Sequence, residues 1–260
     1  MKQIILSIQV LALAWAVVTE NSVQAADIAD NETNKTETTF IEPILIEETM
    51  PNEPGELSLR LTTDYRRGDG EAVGALPNLQ VFYGIVERLG TSLSIPMSYT
   101  KPDASSHYGL GDISTSLKYL VVRPGPTVPA VVLGLEAVFP TGNRKLGLGA
   151  GAYALAPNLA LLKDFGPFCV QGNFAWAKPV NARRADLWTY GWAVSAPLIR
   201  NKVYLLAEIQ GDWGSPNHTT LAPGIKYYFT DKFTVGLAVP VGLNKNTEGW
   251  GIVTQFQIEF

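Results

Sequence analysis

The last eleven residues, Trp250-Gly251-Ile252-Val253-Thr254-Gln255-Phe256-Gln257-Ile258-Glu259-Phe260, decide how the chain is read. Trp250, Ile252, Thr254, Phe256, Ile258 and Phe260 alternate with Gly251, Val253, Gln255, Gln257 and Glu259. Side chains of an extended strand point to opposite faces in turn, so this stretch is a strand with one greasy and one polar face. A period of 3.6 would scatter both sets around a helix.

The pattern recurs upstream. Leu79, Val81, Tyr83 and Ile85 alternate with Gln80, Phe82, Gly84 and Val86, and Val203, Leu205, Ala207 and Ile209 with Tyr204, Leu206, Glu208 and Gln210. Runs bounded by turn residues predict twelve strands, at 56–66, 77–88, 91–100, 110–122, 128–140, 147–162, 167–178, 187–199, 202–213, 219–229, 232–243 and 249–260. Their connections alternate between tight turns, as at Arg88-Leu89-Gly90 or Asp164-Phe165-Gly166, and longer polar segments, as at 67–76, 101–109, 141–146 and 179–186. Short turns on one side and long loops on the other belong to membrane barrels. Pro96, Pro197, Pro223 and Pro240 fall inside these strands, where a proline needs a bulge or an edge.

A secreted β-sandwich would also alternate, burying its greasy face in a core. Two features favour a barrel. Aromatic residues sit near strand ends (Tyr65, Tyr99, Phe139, Trp188, Trp213, Phe229 and Trp250 among them), where rings meet the water interfaces of a bilayer. The apolar stripes also exclude Lys, Arg, Asp and Glu over the central strand positions, where a lipid-facing cation costs about 2–4 kcal/mol. The expected fold is all-β, a transmembrane antiparallel β-barrel of about twelve strands over 57–260, with both termini periplasmic.

Composition agrees. The chain has 260 residues, 46% hydrophobic and only 17% charged, with 24 glycines, which argues against a helical cytosolic enzyme. Residues 1–25 read as a signal peptide: Lys2 precedes an apolar stretch from Ile4 to Val18, and Val23-Gln24-Ala25 precedes the expected cleavage point. That stretch is about 22 Å long as a helix, too short for the roughly 30 Å hydrocarbon core of a bilayer.

Residues 26–56 form an acidic tail. From Asp27 to Glu56 nine carboxylates face the single Lys35, a charge of −8; the chain carries −4 and the signal region none, so the rest carries +4. So polar a segment is expected to be a disordered periplasmic linker. The opposite charges leave a second reading, an electrostatic plug, in which the apolar island Phe40, Ile41, Ile44, Leu45 and Ile46 would dock.

With the apolar stripes outward, the expected lumen carries Arg60, Asp64, Phe82, Asp112, Lys118, Glu136, Tyr204, Glu208, Lys226 and Tyr228. These side chains either interlock to stiffen the wall or line a solute path, where Phe82, Tyr204 and Tyr228 could stack on an aromatic solute. The outer connections carry a basic rim, Arg66, Arg67, Arg144, Lys145, Arg183 and Arg184, suited to lipopolysaccharide phosphates or to an anionic solute. One cysteine, Cys169, and two histidines predict no disulfide, no metal site and no cofactor. His107 behind Ser105-Ser106 and His218 beside Asn217 lack a nucleophile elbow, so an outer-membrane lipid hydrolase is disfavoured and no enzyme is expected. No nucleic-acid partner is expected either.

The closing strand, with Phe256, Ile258 and Phe260 in phase, resembles the signal by which bacterial outer-membrane barrels are recognised for assembly. Gly109-Leu110-Gly111-Asp112 with Lys118-Tyr119, then Phe139-Pro140-Thr141-Gly142-Asn143, then Gly172-Asn173-Phe174, resembles the MetA-pathway of phenol degradation family. That resemblance implies an outer-membrane transporter barrel. The functional expectation is a channel for small, aromatic or hydrophobic solutes in the bacterial outer membrane, in contact with lipid, lipopolysaccharide and the barrel-assembly machinery. The alternative is a non-conducting structural or adhesion barrel.

Overall fold

The computed structural model describes residues 41–260 apart from 48, 69–70, 103–104, 181–184, 215–216 and 248. The signal-peptide reading of 1–25 and the tail reading of 26–40 therefore lie outside the described residues.

Fourteen strand segments follow one another: β1 Leu57–Gly68, β2 Glu71–Val86, β3 Leu89–Lys101, β4 His107–Leu110, β5 Ile113–Val122, β6 Ala130–Phe139, β7 Tyr153–Asp164, β8 Cys169–Val180, β9 Leu187–Ile199, β10 Val203–Asp212, β11 Thr219–Thr230, β12 Phe233–Ala238, β13 Val241–Gly242 and β14 Trp250–Glu259. β4 and β5 both pair with β3, and β12 and β13 both pair with β11 and β14, so each couple is one wall strand broken in the middle. Fourteen segments thus make twelve wall strands. Every neighbour pair is antiparallel, and β14 closes on β1 from Ser58↔Glu259 to Arg67↔Trp250. Closure leaves no free edge among the described strands, so the ladder amides pair around the whole wall, while a few at strand ends turn to loop hydroxyls, as Ile113 does to Thr141 at 2.9 Å and Thr219 to Thr247 at 2.9 Å.

The prolines explain the breaks. Pro240 occupies the gap between β12 and β13, and Pro223 lies opposite it, its carbonyl accepting from the Val239 amide at 3.0 Å. Pro96 lies opposite the β4/β5 break, and its carbonyl accepts from Gly111 at 2.8 Å. Pro197 adjoins a register shift in the β9–β10 ladder. Each proline withholds an N–H where the ladder is already irregular.

Two boundaries differ most from expectation. β2 starts at Glu71, six residues before the expected 77, because a bulge between Ala75 and Asn78 absorbs Leu76-Pro77. The first outer connection is thereby only two residues long. β7 starts at Tyr153 rather than 147, because a 3-10 turn, Arg144–Leu146, and Gly147 at φ 72° keep the preceding chain in a loop.

The alternating faces sort as expected. Leu133 and Leu135 on β6 point outward at 53% and 48% exposure, whereas Val132 of the same strand packs inward and is fully buried. Phe256, Ile258 and Phe260 also lie on the outer face, while Gln255 and Gln257 are buried in the lumen. Phe260 donates its amide to the Leu57 carbonyl at 2.9 Å, so the C-terminus lies beside the start of β1 at the short-turn end.

Candidate functional site

The lumen contains the protein's own chain. Residues 41–56 run across it before entering β1, held by groups from almost every side of the wall. A solvated linker is therefore not what the described part of the acidic segment forms.

The firmest hold is Glu208, a fully buried residue of β10. Its carboxylate accepts the backbone amides of Ile44 (2.7 Å), Leu45 (2.9 Å) and Ile46 (2.9 Å). Three successive amides can converge on one carboxylate only where the backbone bends, and a bend runs through Ile44–Ile46. The strap needs no strand partner there because Glu208 takes over the amides that a ladder would have satisfied.

Glu42 supplies charge. It meets the Arg60 guanidinium at 2.9 Å and the Lys226 ammonium at 3.2 Å, and accepts from the Gln257 amide at 2.9 Å. Arg60 is 4% exposed and Lys226 fully buried, so two wall cations from β1 and β11 share one strap carboxylate. Cations so deep in a wall need a counter-charge, and the strap delivers it. Further along, Glu47 pairs with Lys118 of β5 at 3.0 Å. Strap carbonyls are taken as well: Gln255 donates to Pro43 at 3.3 Å, Lys226 to Glu42 at 3.2 Å, and Gln171 to Ile41.

Apolar contacts complete the fit. Ile41 and Ile44 join Tyr204, Leu206, Ala222, Ala238 and Val253 in one buried cluster, with Leu45 and Tyr228 against it. Met50 packs against a second cluster, Leu120, Ala130, Val132, Ala160, Leu162 and Cys169. The returning leg then docks on the β2–β3 turn, where Pro54 bridges Gly84 and the Gly55 amide donates to the Gly84 carbonyl at 2.8 Å. Gly84 is required here: a Cβ would stand 1.8 Å from the Glu53 carbonyl oxygen.

On the loop side of the strap a cavity of about 310 Å³ remains. Ile44, Leu45, Ile46 and Glu47 form one side; Asp64, Asn78, Phe82, Ser92, Ser94, Ser114, Ser116 and Glu136, from β1, β2, β3, β5 and β6, form the other. A smaller space of about 140 Å³ lies on the turn side, between Ile41, Glu42, Met50–Glu53, Leu162 and Gln171.

The expected lumen residues divide accordingly. Arg60, Lys118, Tyr204, Glu208, Lys226 and Tyr228 meet the strap; Asp64, Phe82 and Glu136 line the cavity. Asp112 does not belong to the lumen surface: at the β4/β5 break it accepts the amides of Gly142 (2.9 Å) and Ala150 (2.6 Å), clamping the loop between β6 and β7. The proposed stacking rings are already engaged. Tyr204 and Tyr228 meet edge to face at 5.4 Å against the strap cluster, and the Arg60 guanidinium lies 4.6 Å above Phe82.

In the rim, Arg66 turns into the barrel mouth and pairs with Asp64 at 2.8 Å, whereas Arg67, Arg144 and Lys145 are exposed. Arg183 and Arg184 lie outside the described residues. Sequence reading missed Ser92, Ser94 and Asn78, which the β3 and β2 alternation already placed inward, and Glu42 and Glu47, which looked like ordinary members of an acidic run.

A closed wall of twelve strands, a polar interior and a matching sequence profile over residues 56–260 settle the kinship. The chain belongs to the MetA-pathway of phenol degradation family. Its fold is similar to the crystal structure of an outer membrane channel from Pseudomonas putida F1, at 14% identity and a TM-score of 0.63, covering 85% of this chain and 100% of that one. It is also similar to the NanC porin (11%, TM-score 0.52, 78% and 98% covered) and to the KdgM porin in complex with disordered oligogalacturonate (9%, 0.51, 79% and 98%). No match was found among curated proteins. This member of the phenol-degradation family thus has the fold of outer-membrane porins.

Proposed function

We propose that the chain is an outer-membrane channel for small solutes, narrowed by its own N-terminal segment, with aromatic compounds as the class to which the family's description points. The observation that carries this reading is the strap itself: residues 41–50 occupy a lumen lined by both polar groups and two apolar clusters, and their removal would join the spaces on either side. Export by the segment 1–25, insertion by the assembly machinery through the Phe256-Ile258-Phe260 strand, short turns and termini on the periplasmic side, and contact of Arg67, Arg144 and Lys145 with lipopolysaccharide belong to the same reading. No catalytic role is assigned: His218 holds Asp212 at 2.9 Å in an outer loop, an arrangement that serves the loop.

The test is single-channel conductance in planar bilayers. The mature chain is expected to conduct weakly, and a chain lacking residues 27–50 several-fold more, with phenol reducing the current. Silence from both, with folding verified by heat-modifiable gel mobility, would replace the channel with a structural barrel, the reading that the strap's many contacts would then favour.

A further inference from the structure

The cavity above the strap has its charges matched but not its hydrogen bonds. Asp64 is gripped by two nitrogens of the Arg66 guanidinium at 2.8 and 3.0 Å, Glu47 by Lys118 at 3.0 Å, and Arg60 by Glu42 at 2.9 Å. Glu136 takes a hydrogen bond from Ser114 and lies near Lys118. An ion of either sign entering this space must break one of these pairs or go without a partner, and both are costly away from bulk water.

What the ion pairs leave over is neutral. Asn78 and Gln80 of β2, Ser92 and Ser94 of β3, and Ser114 and Ser116 of β5 all line the cavity, with Gln80 opposite Ser94, Ser94 opposite Ser114 and Ser92 opposite Ser116. Alternate residues of a strand share a face, so these side chains form one patch across three adjacent strands. Part of its capacity is spent internally: Ser92 and Ser116 bond each other at 2.7 Å, and Ser94 donates to Asn78 at 2.9 Å. The rest is open. The Gln80 carboxamide bonds no described residue, and Nδ2 of Asn78 has no acceptor among them. Thr62 Oγ1 and Gln255 Oε1, from two further lining residues, are buried without a hydrogen-bond partner among the described residues. Buried polar groups are normally paired, so the lining holds neutral hydrogen-bonding capacity that the protein's own side chains do not fill. Ile44, Leu45 and Ile46 of the strap close the opposite side, while Phe82 is covered by Arg60 and Tyr204 is packed on Tyr228. Recognition here falls to amides and hydroxyls rather than to stacking rings.

We propose that this cavity binds uncharged ring-shaped solutes carrying neighbouring hydroxyls, that Gln80 and Asn78 are its specificity-determining residues, and that it excludes charged molecules of the same size. A carboxamide offers both donors and an acceptor, and two adjacent hydroxyls can meet them with acceptors and a donor. The ring itself would rest between this patch and the apolar residues of the strap. The volume of about 310 Å³ stands at the lower end of the roughly 300–1,000 Å³ of small-molecule sites. This assignment rests on the reading of the lumen as a solute path and adds to it the charge and the polar edge of the solute. The same edge occurs on aromatic diols and on sugars, and the experiment separates the two.

Two matched sets of probes serve: catechol with protocatechuate and dopamine, and glucose with glucuronate and glucosamine, each a neutral diol beside its acidic and its cationic counterpart. Calorimetric titration of the refolded mature chain in detergent, with empty micelles as the blank, is expected to show saturable binding of catechol or glucose. Whichever binds names the ring, and both charged members of its set should bind at least tenfold more weakly. Gln80→Leu should weaken the neutral probe at least fivefold and Asn78→Leu severalfold, with unchanged heat-modifiable gel mobility as the check on folding. Binding of neither neutral probe, equal or tighter binding of a charged member, or folded variants that leave the affinity unmoved would overturn the proposal. Binding is measured without current, so its failure is separable from that of the channel reading: diol binding by a silent barrel sinks only the latter, and conduction without such binding only the former.

Discussion

Glu208 is the residue on which the interior turns. A carboxylate in a closed lumen is costly to desolvate, and three backbone donors with Lys226 nearby compensate it. Glu208→Gln keeps the shape but gives up the charge and turns an N–H₂ group toward amides that need acceptors. The expected cost is about 2–4 kcal/mol. A urea titration of the protein folded in lipid vesicles should register it as an earlier transition, together with faster proteolysis within 41–56. An unshifted midpoint with a protected strap would show that Glu208 does not hold it. Glu42 illustrates what single-residue reading lacks: it was one acid among nine until the fold put Arg60 and Lys226 on either side of it.

Among the elements, the strap and the wall obey different rules. Wall strands were legible because alternation repeats over ten or more residues, and their boundaries moved furthest where proline or glycine chemistry intervened, as at Leu76-Pro77 in β2 and Gly147 before β7. The strap has no period at all. Its Pro43 and Pro51 withhold the amides that a ladder would need, and its island of Ile41, Ile44, Leu45 and Ile46 gains stability only when a lumen exists to receive it. The docking of the returning leg offers a test confined to this element. Gly84→Ala places a methyl group on the Glu53 carbonyl, which must move away, while the β2–β3 ladder around it remains paired. The expected outcome is a barrel of normal heat-modifiable mobility with a higher conductance and a protease-sensitive strap; normal conductance would show that the leg has room to shift.

At the scale of the whole molecule, the bilayer and the lumen impose opposite requirements on the same strands. Leu135 of β6 faces lipid and its neighbour Glu136 faces the cavity. Leu135→Arg is expected to cost about 2–4 kcal/mol in folding into vesicles, the penalty of a cation near the bilayer midplane. Ser114→Asn, on the lumen side of the adjacent strand, should cost far less. Equal losses would mean that the outer face of β6 does not meet lipid. The sequence by itself determined the strand number, the inward and outward faces and the closing role of the Trp250–Phe260 segment, because a two-residue period records which side of a wall each residue faces, wherever the wall stands. Only the tertiary structure decided that the described end of the acidic segment, from Ile41 onward, lies inside, that Asp112 serves a loop, and that Tyr204 and Tyr228 pack on the strap rather than wait for a solute. Those outcomes depend on which side chains meet across a closed lumen, between residues as far apart as Ile44 and Glu208, and no local pattern encodes that meeting.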